Sequence, residues 1–290
     1  MVRRPLISAY ELQELLELPA RGAFGAPQPR PAILDVRWEL GAGSGYADYK
    51  EGHIAGAAFV DLDHQLSARP GVRGRHPLPH VDRFAVDMRN AGVWNARMVV
   101  VYDAATSMAA ARAWWLLRYF GHRDVAVLDG GLAAWVSAGL PLQSGLPLLK
   151  QGDFLPAPGK MPVLDARAAA HLAVEGVLLD ARAPERFRGE VEPIDRVPGH
   201  IPGARNRPAA ENVDSAGRFH ATASLRAAFE ATGVGHGVSV GAYCGSGVTA
   251  AHNVLALEIS GYRSALYPGS WSEWLEDPRR PVAKGDEGPR

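Results

Sequence analysis

The feature that most constrains this chain is that it repeats itself. In the first half, AILDVRWE (Ala32–Glu39) is followed by YKEGHIAGAAFVDLD (Tyr49–Asp63); in the second, VLLDARAPERFRGE (Val177–Glu190) is followed by RVPGHIPGARNRP (Arg196–Pro208). The match continues downstream, where Met98–Gly139 aligns with Val238–Pro278. Tyr102 then falls on Tyr243, Asp103 on Cys244, Gly121 on Gly261, Gly130 on Gly269 and Trp135 on Trp274. A repeat of this length means one fold used twice. The 290 residues also exceed the usual single-domain size and suffice for two cores.

Within each repeat, apolar β-branched runs such as MVVVYDA and VAVLDGG have the character of strands buried on both faces. The segments ARAWWLLRYFG and TAAHNVLALEISG carry helical spacing and stop at glycine. Alternation of these types predicts an α/β fold: two tandem domains, each a mainly parallel sheet flanked by helices. We expect the domains at 6–142 and 163–281. The Pro- and Gly-rich span 143–162 forms an ordered linker, and the tail from Asp277 is expected to fray.

Charge excludes some functions. Lys plus Arg and Asp plus Glu both number 31, so bulk electrostatics suit neither nucleic acid nor an anionic membrane surface. No run of about 18 apolar residues predicts a membrane span. The amino terminus reads as a helix bearing Glu11, Glu14 and Glu17, not as a signal peptide. A single cysteine cannot form an intrachain disulfide, which fits a cytoplasmic location.

That cysteine, Cys244, lies where VSVGAY ends a strand and TAAHNVLALEISG begins a helix. In parallel α/β sheets the loops past the strand carboxyl ends carry the chemistry. Gly245, Ser246 and Gly247 allow the loop to curl so that backbone N–H groups face the sulfur, and the helix amino terminus adds partial positive charge. Both favour an anionic sulfur, and the same cradle suits a terminal persulfide. A lone cysteine is more often a small buried hydrophobe; the strand, small-residue loop and helix order points instead to a reactive thiol.

The CGSGVTA loop, the paired LDVR/LDAR and GHI-x-G segments and the duplication resemble the tandem-domain rhodanese sulfurtransferases, from about Ser8 to Pro278. The resemblance implies two rhodanese-like domains, of which only the second is catalytic, because Asp103 holds the cysteine position of the first. It implies transfer of a sulfane sulfur through a Cys244 persulfide to cyanide, a low-molecular thiol or a thioredoxin-like acceptor. The loop form Cys244, Gly245, Ser246, Gly247, Val248, Thr249 favours 3-mercaptopyruvate as donor over thiosulfate. Arg188 and Arg196 match the region that grips the donor carboxylate, a task suited to a planar guanidinium. Ser246, Asp63 and His76 match a serine, histidine, aspartate relay; the competing roles are a turn cap for Asp63 and a surface histidine for His76.

No cofactor or metal is expected, and His53 and His200 of the paired GHI segments are assigned to the scaffold. The tryptophans, Trp135 and Trp274 among them, are expected to fill the cores. Cysteine phosphatases share the thiol-before-helix arrangement but need an arginine six positions after the cysteine, and here that position is Ala250. Two readings stay open beside the mercaptopyruvate enzyme: a thiosulfate-specific rhodanese, and a carrier that loads sulfur once and hands it to a partner protein.

Overall fold

The computed structural model describes residues 4–17 and 30–286. The chain divides into two compact units. The first gathers residues up to Leu66 with Pro79–Lys160 and Ser215–Arg218; the second gathers Ser67–Leu78, Met161–Asp214 and Phe219 onward. Ser67–Leu78 therefore packs in the second unit although it lies within the span 6–142 expected for the first domain.

In the first unit five parallel strands lie in the order Leu6–Ile7, Val125–Leu128, Val99–Tyr102, Ala32–Asp35, Ala58–Phe59. In the second, four parallel strands lie in the order Ala265–Leu266, Val240–Tyr243, Val177–Asp180, Arg205–Asn206, and Val163 adds a parallel bridge beyond Leu266. The orders correspond strand for strand, as the repeat requires. The central strands Val99–Tyr102, Val125–Leu128, Val177–Asp180 and Val240–Tyr243 are buried at every residue, which is why they read as continuous apolar runs rather than alternating ones.

The repeated polar motifs tie the carboxyl ends of these strands together. Asp180 and Arg182 are joined by a 2.6 Å ion pair with side chains 0% and 2% exposed, and Arg182 also donates to the Gly199 carbonyl at 2.7 Å. In the first unit Arg37 pairs with Asp35 at 2.8 Å and donates to the Gly52 carbonyl at 2.7 Å. Burial alone would lower the Arg182 pKa, but the Asp180 carboxylate holds it above the ordinary arginine value. The paired histidines repeat too: His53 Nδ1 meets the Tyr49 carbonyl at 2.8 Å with the rings stacked, and His200 Nδ1 meets the Phe187 carbonyl at 2.8 Å, again stacked. Trp135 and Trp274 are buried, and each donates its indole N–H to a proline carbonyl, Pro141 and Pro281.

Two segments without periodicity are nevertheless fixed. Gln151–Lys160 lies along the first unit, with Phe154 wholly buried and with backbone bonds from Gly152 to Arg89, Ala157 to Phe120 and Lys160 to Tyr119. The tail is not frayed through Gly285: His200 and Ala283 exchange backbone hydrogen bonds, and Gly285 donates to Arg188. Residues 287–290 lie outside the described residues. No helix among the described residues is long and apolar enough to cross a membrane.

Candidate active site

Cys244 follows the strand Val240–Tyr243 and precedes the helix Thr249–Ile259. That helix is buried from Ala250 to Leu257, so its amino end is fixed by packing on all sides. Val248 at its start makes no side-chain cap, and Gly247, with φ of +80°, turns its N–H onto Cys244 Sγ at 3.1 Å. A Cβ on Gly247 would stand 2.3 Å from the Pro268 carbonyl oxygen, so this turn is closed to any other residue. Cys244 as a residue is 2% exposed.

The other side of the cysteine is held by residues 267–272. The Cys244 N–H donates to Ser270 Oγ at 3.1 Å, while Ser270 Oγ–H donates to the Tyr267 carbonyl at 2.8 Å. Trp271 and Ser272 donate their N–H groups to the Cys244 and Gly245 carbonyls. Ser270 adopts φ of +54°, which costs a residue with a Cβ, and its hydroxyl bridge is what holds it there. The sequence carries no plain signal for Ser270, since its counterpart in the first unit is Gly131, also at positive φ.

Cations reach the loop from outside it. A Cβ on Gly245 would lie 3.1 Å from Arg75 Nη2, 3.7 Å from Arg186 Nη2 and 3.7 Å from Asp195 Oδ2. Asp195 accepts from Arg75 at 2.8 Å and Arg186 at 3.2 Å; Glu192 accepts from Arg186 at 2.6 Å and Arg182 at 3.3 Å. Three arginines and three carboxylates thus alternate from Arg75 to Asp180, with formal charges that cancel. Burial would raise the Glu192 pKa, but hydrogen bonds from Arg186 and from the Asp195 and Ile194 N–H groups outweigh it and hold the group below the usual glutamate range. Beside Gly245, Arg75, Asp195 and Ser272 border a cavity of about 580 Å³ that also meets Val72, Arg196 and Glu276.

The residues expected from sequence separate into groups. Ser246, Gly245, Gly247, Val248 and Thr249 form the loop and helix start around Cys244, and His76 joins them: its Nδ1 lies 2.7 Å from Ser246 Oγ, both side chains buried. His76 is thus no surface histidine. Asp63 belongs to the first unit, where it accepts the Trp38 indole N–H at 2.9 Å. Arg196 borders the cavity but its side chain is 58% exposed, and among the described residues it has an ion pair with Glu276 at 3.9 Å.

Arg188, expected to grip the donor carboxylate, pairs instead with a neighbouring carboxylate. Its guanidinium is bidentate to Glu190, at 2.7 and 3.0 Å, and neither it nor Arg186 borders the cavity. Arg186 stands beside the loop instead. The segment Pro184–Phe187 is a helical turn opened by proline, and positions two apart on a helix differ by about 200° in direction. Arg186 and Arg188 therefore face opposite ways. Arg75 and Arg186 were both missed at the level of sequence; the phase of that turn was the available signal for Arg186.

In the first unit Asp103 occupies the position of Cys244. Its carboxylate accepts N–H bonds from Ser107 at 3.0 Å, Ala109 at 3.0 Å and Ala110 at 3.2 Å, filling the amide cradle from within. Burial raises its pKa against the pull of these donors.

A duplicated parallel α/β fold with one thiol at the strand-to-helix loop of its second copy defines the structural class. The chain belongs to the rhodanese family: the model for the rhodanese-like domain matches residues 11–138 and 164–277. Among curated relatives it is 48% identical to the "Probable 3-mercaptopyruvate sulfurtransferase" of Pseudomonas aeruginosa, over 97% of this chain and all of that one. It is 46% identical to the "Putative thiosulfate sulfurtransferase SseB" of Mycobacterium tuberculosis, over 97% of each chain. Among solved structures it resembles SseA from Escherichia coli, with a TM-score of 0.79 at 35% identity over 93% of this chain and all of that one.

Proposed function

We propose that this protein is a sulfurtransferase that moves a sulfane sulfur from 3-mercaptopyruvate, with thiosulfate as second donor, to a thiophilic acceptor through a persulfide on Cys244. The observation that carries the reading is the Cys244 loop itself. A buried sulfur receives the Gly247 N–H at 3.1 Å at the start of a packed helix, with the guanidinium groups of Arg186 and Arg75 beside the next residue.

In the first half-reaction the Cys244 thiolate attacks the donor sulfur. With mercaptopyruvate the carbon–sulfur bond breaks, its electron pair leaves as pyruvate enolate, and the proton of the donor thiol ends on the enolate carbon. With thiosulfate the sulfur–sulfur bond breaks and sulfite leaves with the pair. Either way the negative charge of the thiolate passes to the terminal sulfur of the persulfide, where amide hydrogens meet it. In this reading Ser246 and His76 carry the proton between donor thiol and enolate, which their 2.7 Å contact supports. Asp63 enters this reading from the family resemblance alone. Arg186, beside Gly245, takes the donor carboxylate, helped by Arg196 at the cavity border; Arg188 is left out.

In the second half-reaction cyanide, a low-molecular thiol or a thioredoxin-like thiol attacks the terminal sulfur and releases the Cys244 thiolate. The second unit holds this cycle, and the first, with Asp103 at the cysteine position, does not load sulfur. A working thiol needs a reducing compartment, which supports a cytoplasmic location.

The test is mass spectrometry of the intact protein after donor treatment, with pyruvate followed in parallel. The wild type gains about 32 Da on Cys244 and turns over with ping-pong kinetics, whereas Cys244→Ser keeps its fold, gains nothing and releases no pyruvate. Pyruvate release by Cys244→Ser at a rate near wild type would refute the assignment. Loading that stops at one equivalent with a thiol acceptor present would make the protein a carrier.

A further inference from the structure

We infer that Asp195 sets which sulfur donor this site prefers, by placing a negative charge beside Gly245 that disfavours a compact dianion relative to a monocarboxylate. The inference rests on the sulfurtransferase reading above and goes beyond it to a residue that decides between donors.

The argument begins with charge at the loop. Cys244, Gly245, Ser246 and Gly247 bring no cation, so a donor's negative charge is met by what stands next to Gly245, namely Arg75, Arg186 and Asp195. The Asp195 side chain is only 5% exposed and lies between the two guanidinium groups, at 2.8 Å from Arg75 and 3.2 Å from Arg186. Its Oδ2 is as near to the Gly245 Cβ direction as the Arg186 nitrogen is, 3.7 Å in both cases. A donor over this rim therefore meets a neutralised patch. Following the alternating pairs inward to Asp180 leaves the sum of formal charges at zero.

A mercaptopyruvate anion asks this patch for one carboxylate contact, which a single guanidinium fork satisfies. Thiosulfate brings twice the charge and releases sulfite, on which that charge is concentrated. The two donors thus differ by one unit of charge at the place where Asp195 holds its own. Arg75 is the cation that Asp195 cancels. Its backbone N–H is anchored at 3.0 Å to Ser272 Oγ, so the point from which its side chain reaches the rim is fixed.

The experiment measures kcat/KM for thiosulfate and for 3-mercaptopyruvate with one acceptor, and takes their ratio, in wild type, Asp195→Asn, Asp195→Glu and Arg75→Gln. Asparagine keeps the shape and removes the charge. For a partly screened charge about 6 Å from the donor, the ratio is expected to rise about tenfold in Asp195→Asn, equivalent to about 1.4 kcal/mol. The rise should shrink as inert salt is added. Asp195→Glu should keep the wild-type ratio, and Arg75→Gln should lower it.

A ratio unchanged in Asp195→Asn overturns the inference, as does an equal rise in Asp195→Glu, which would trace the effect to shape. If Asp195→Asn does not fold, Arg75→Gln decides, and an unchanged ratio there overturns it equally. Failure of the wild type to form a Cys244 persulfide from either donor is a separate outcome: it removes the sulfurtransferase reading and the inference with it.

Discussion

Gly247→Ala tests whether the Cys244 cradle is built by backbone. The residue has φ of +80°, which costs an alanine about 1–2 kcal/mol. Its new methyl would also stand 2.3 Å from the Pro268 carbonyl oxygen, against an ordinary contact of 3.4 Å or more, so something must move by about 1 Å. The Pro268 side cannot yield easily. Tyr267 donates its N–H to Ala242 in the sheet, its carbonyl is held by Ser270 Oγ, and Trp271 is bonded back to Cys244. The cysteine loop moves instead, carrying the Gly247 N–H off the sulfur.

Adding about 1–3 kcal/mol for overpacking to the backbone cost gives about 2–5 kcal/mol, enough to lower the melting temperature by several degrees or more. A misplacement of about 1 Å at a reacting group costs about a hundredfold in rate. Calorimetry and the rate of 32 Da mass gain on Cys244 measure the two effects separately. Gly245→Ala is the control: its backbone is not left-handed, and its methyl would meet Arg75 Nη2 at 3.1 Å, the movable end of a long side chain. It should melt close to wild type. A Gly247→Ala protein with wild-type melting and loading, or a Gly245→Ala protein as damaged as Gly247→Ala, would refute the reasoning.

Arg186→Ala should raise KM for mercaptopyruvate about tenfold or more, because a carboxylate contact is lost, whereas Arg188→Ala should stay within about twofold; steady-state kinetics on both variants checks this. Ser270→Ala removes the acceptor of the Cys244 N–H and the hydroxyl bridge that offsets the strained φ, so it should destabilise by about 1–2 kcal/mol, measured by denaturant unfolding. Glu192 is held below its ordinary value of 4.5 in the folded state. Its contribution is therefore present above that pH and lost as pH falls through the lowered folded value. Thermal unfolding in that acid window should be steeper with pH for wild type than for Glu192→Gln.

The repeat made the fold legible because the central strands and their helices are specified by local pattern, and the four strands of the second sheet match four of the first in order. The loop was legible for the same reason: Cys244 to Thr249 is one contiguous stretch whose small residues announce a tight turn. The cations were not. Arg75 lies 169 positions before Cys244 and, by sequence order, in the first repeat, yet Ser67–Leu78 packs with the second unit. Nothing local to Arg75 points across that distance. Arg186 failed for the opposite reason, since it sits two residues from Arg188 and only the phase of one short helical turn separates a guanidinium beside Gly245 from one paired with Glu190.

Asp103 and Cys244 show what the cradle itself demands. The same strand-to-helix turn holds a carboxylate in one copy and a thiol in the other. The carboxylate takes three backbone N–H groups, from Ser107, Ala109 and Ala110, and is buried with them. The bond from Gly247 links the thiol to the same turn in the second copy. Truncation should therefore have unequal effects. Asp103→Ala strands the buried N–H donors of Ser107, Ala109 and Ala110, each costing about 1–3 kcal/mol, offset in part because burying the carboxylate is itself unfavourable. Cys244→Ala loses a weaker N–H···S contact and a small cavity's worth of packing. Asp103→Ala should lower the melting temperature more than Cys244→Ala while leaving mass gain on Cys244 intact; the reverse order would mean that the amide cradle of the first unit does not depend on the anion inside it.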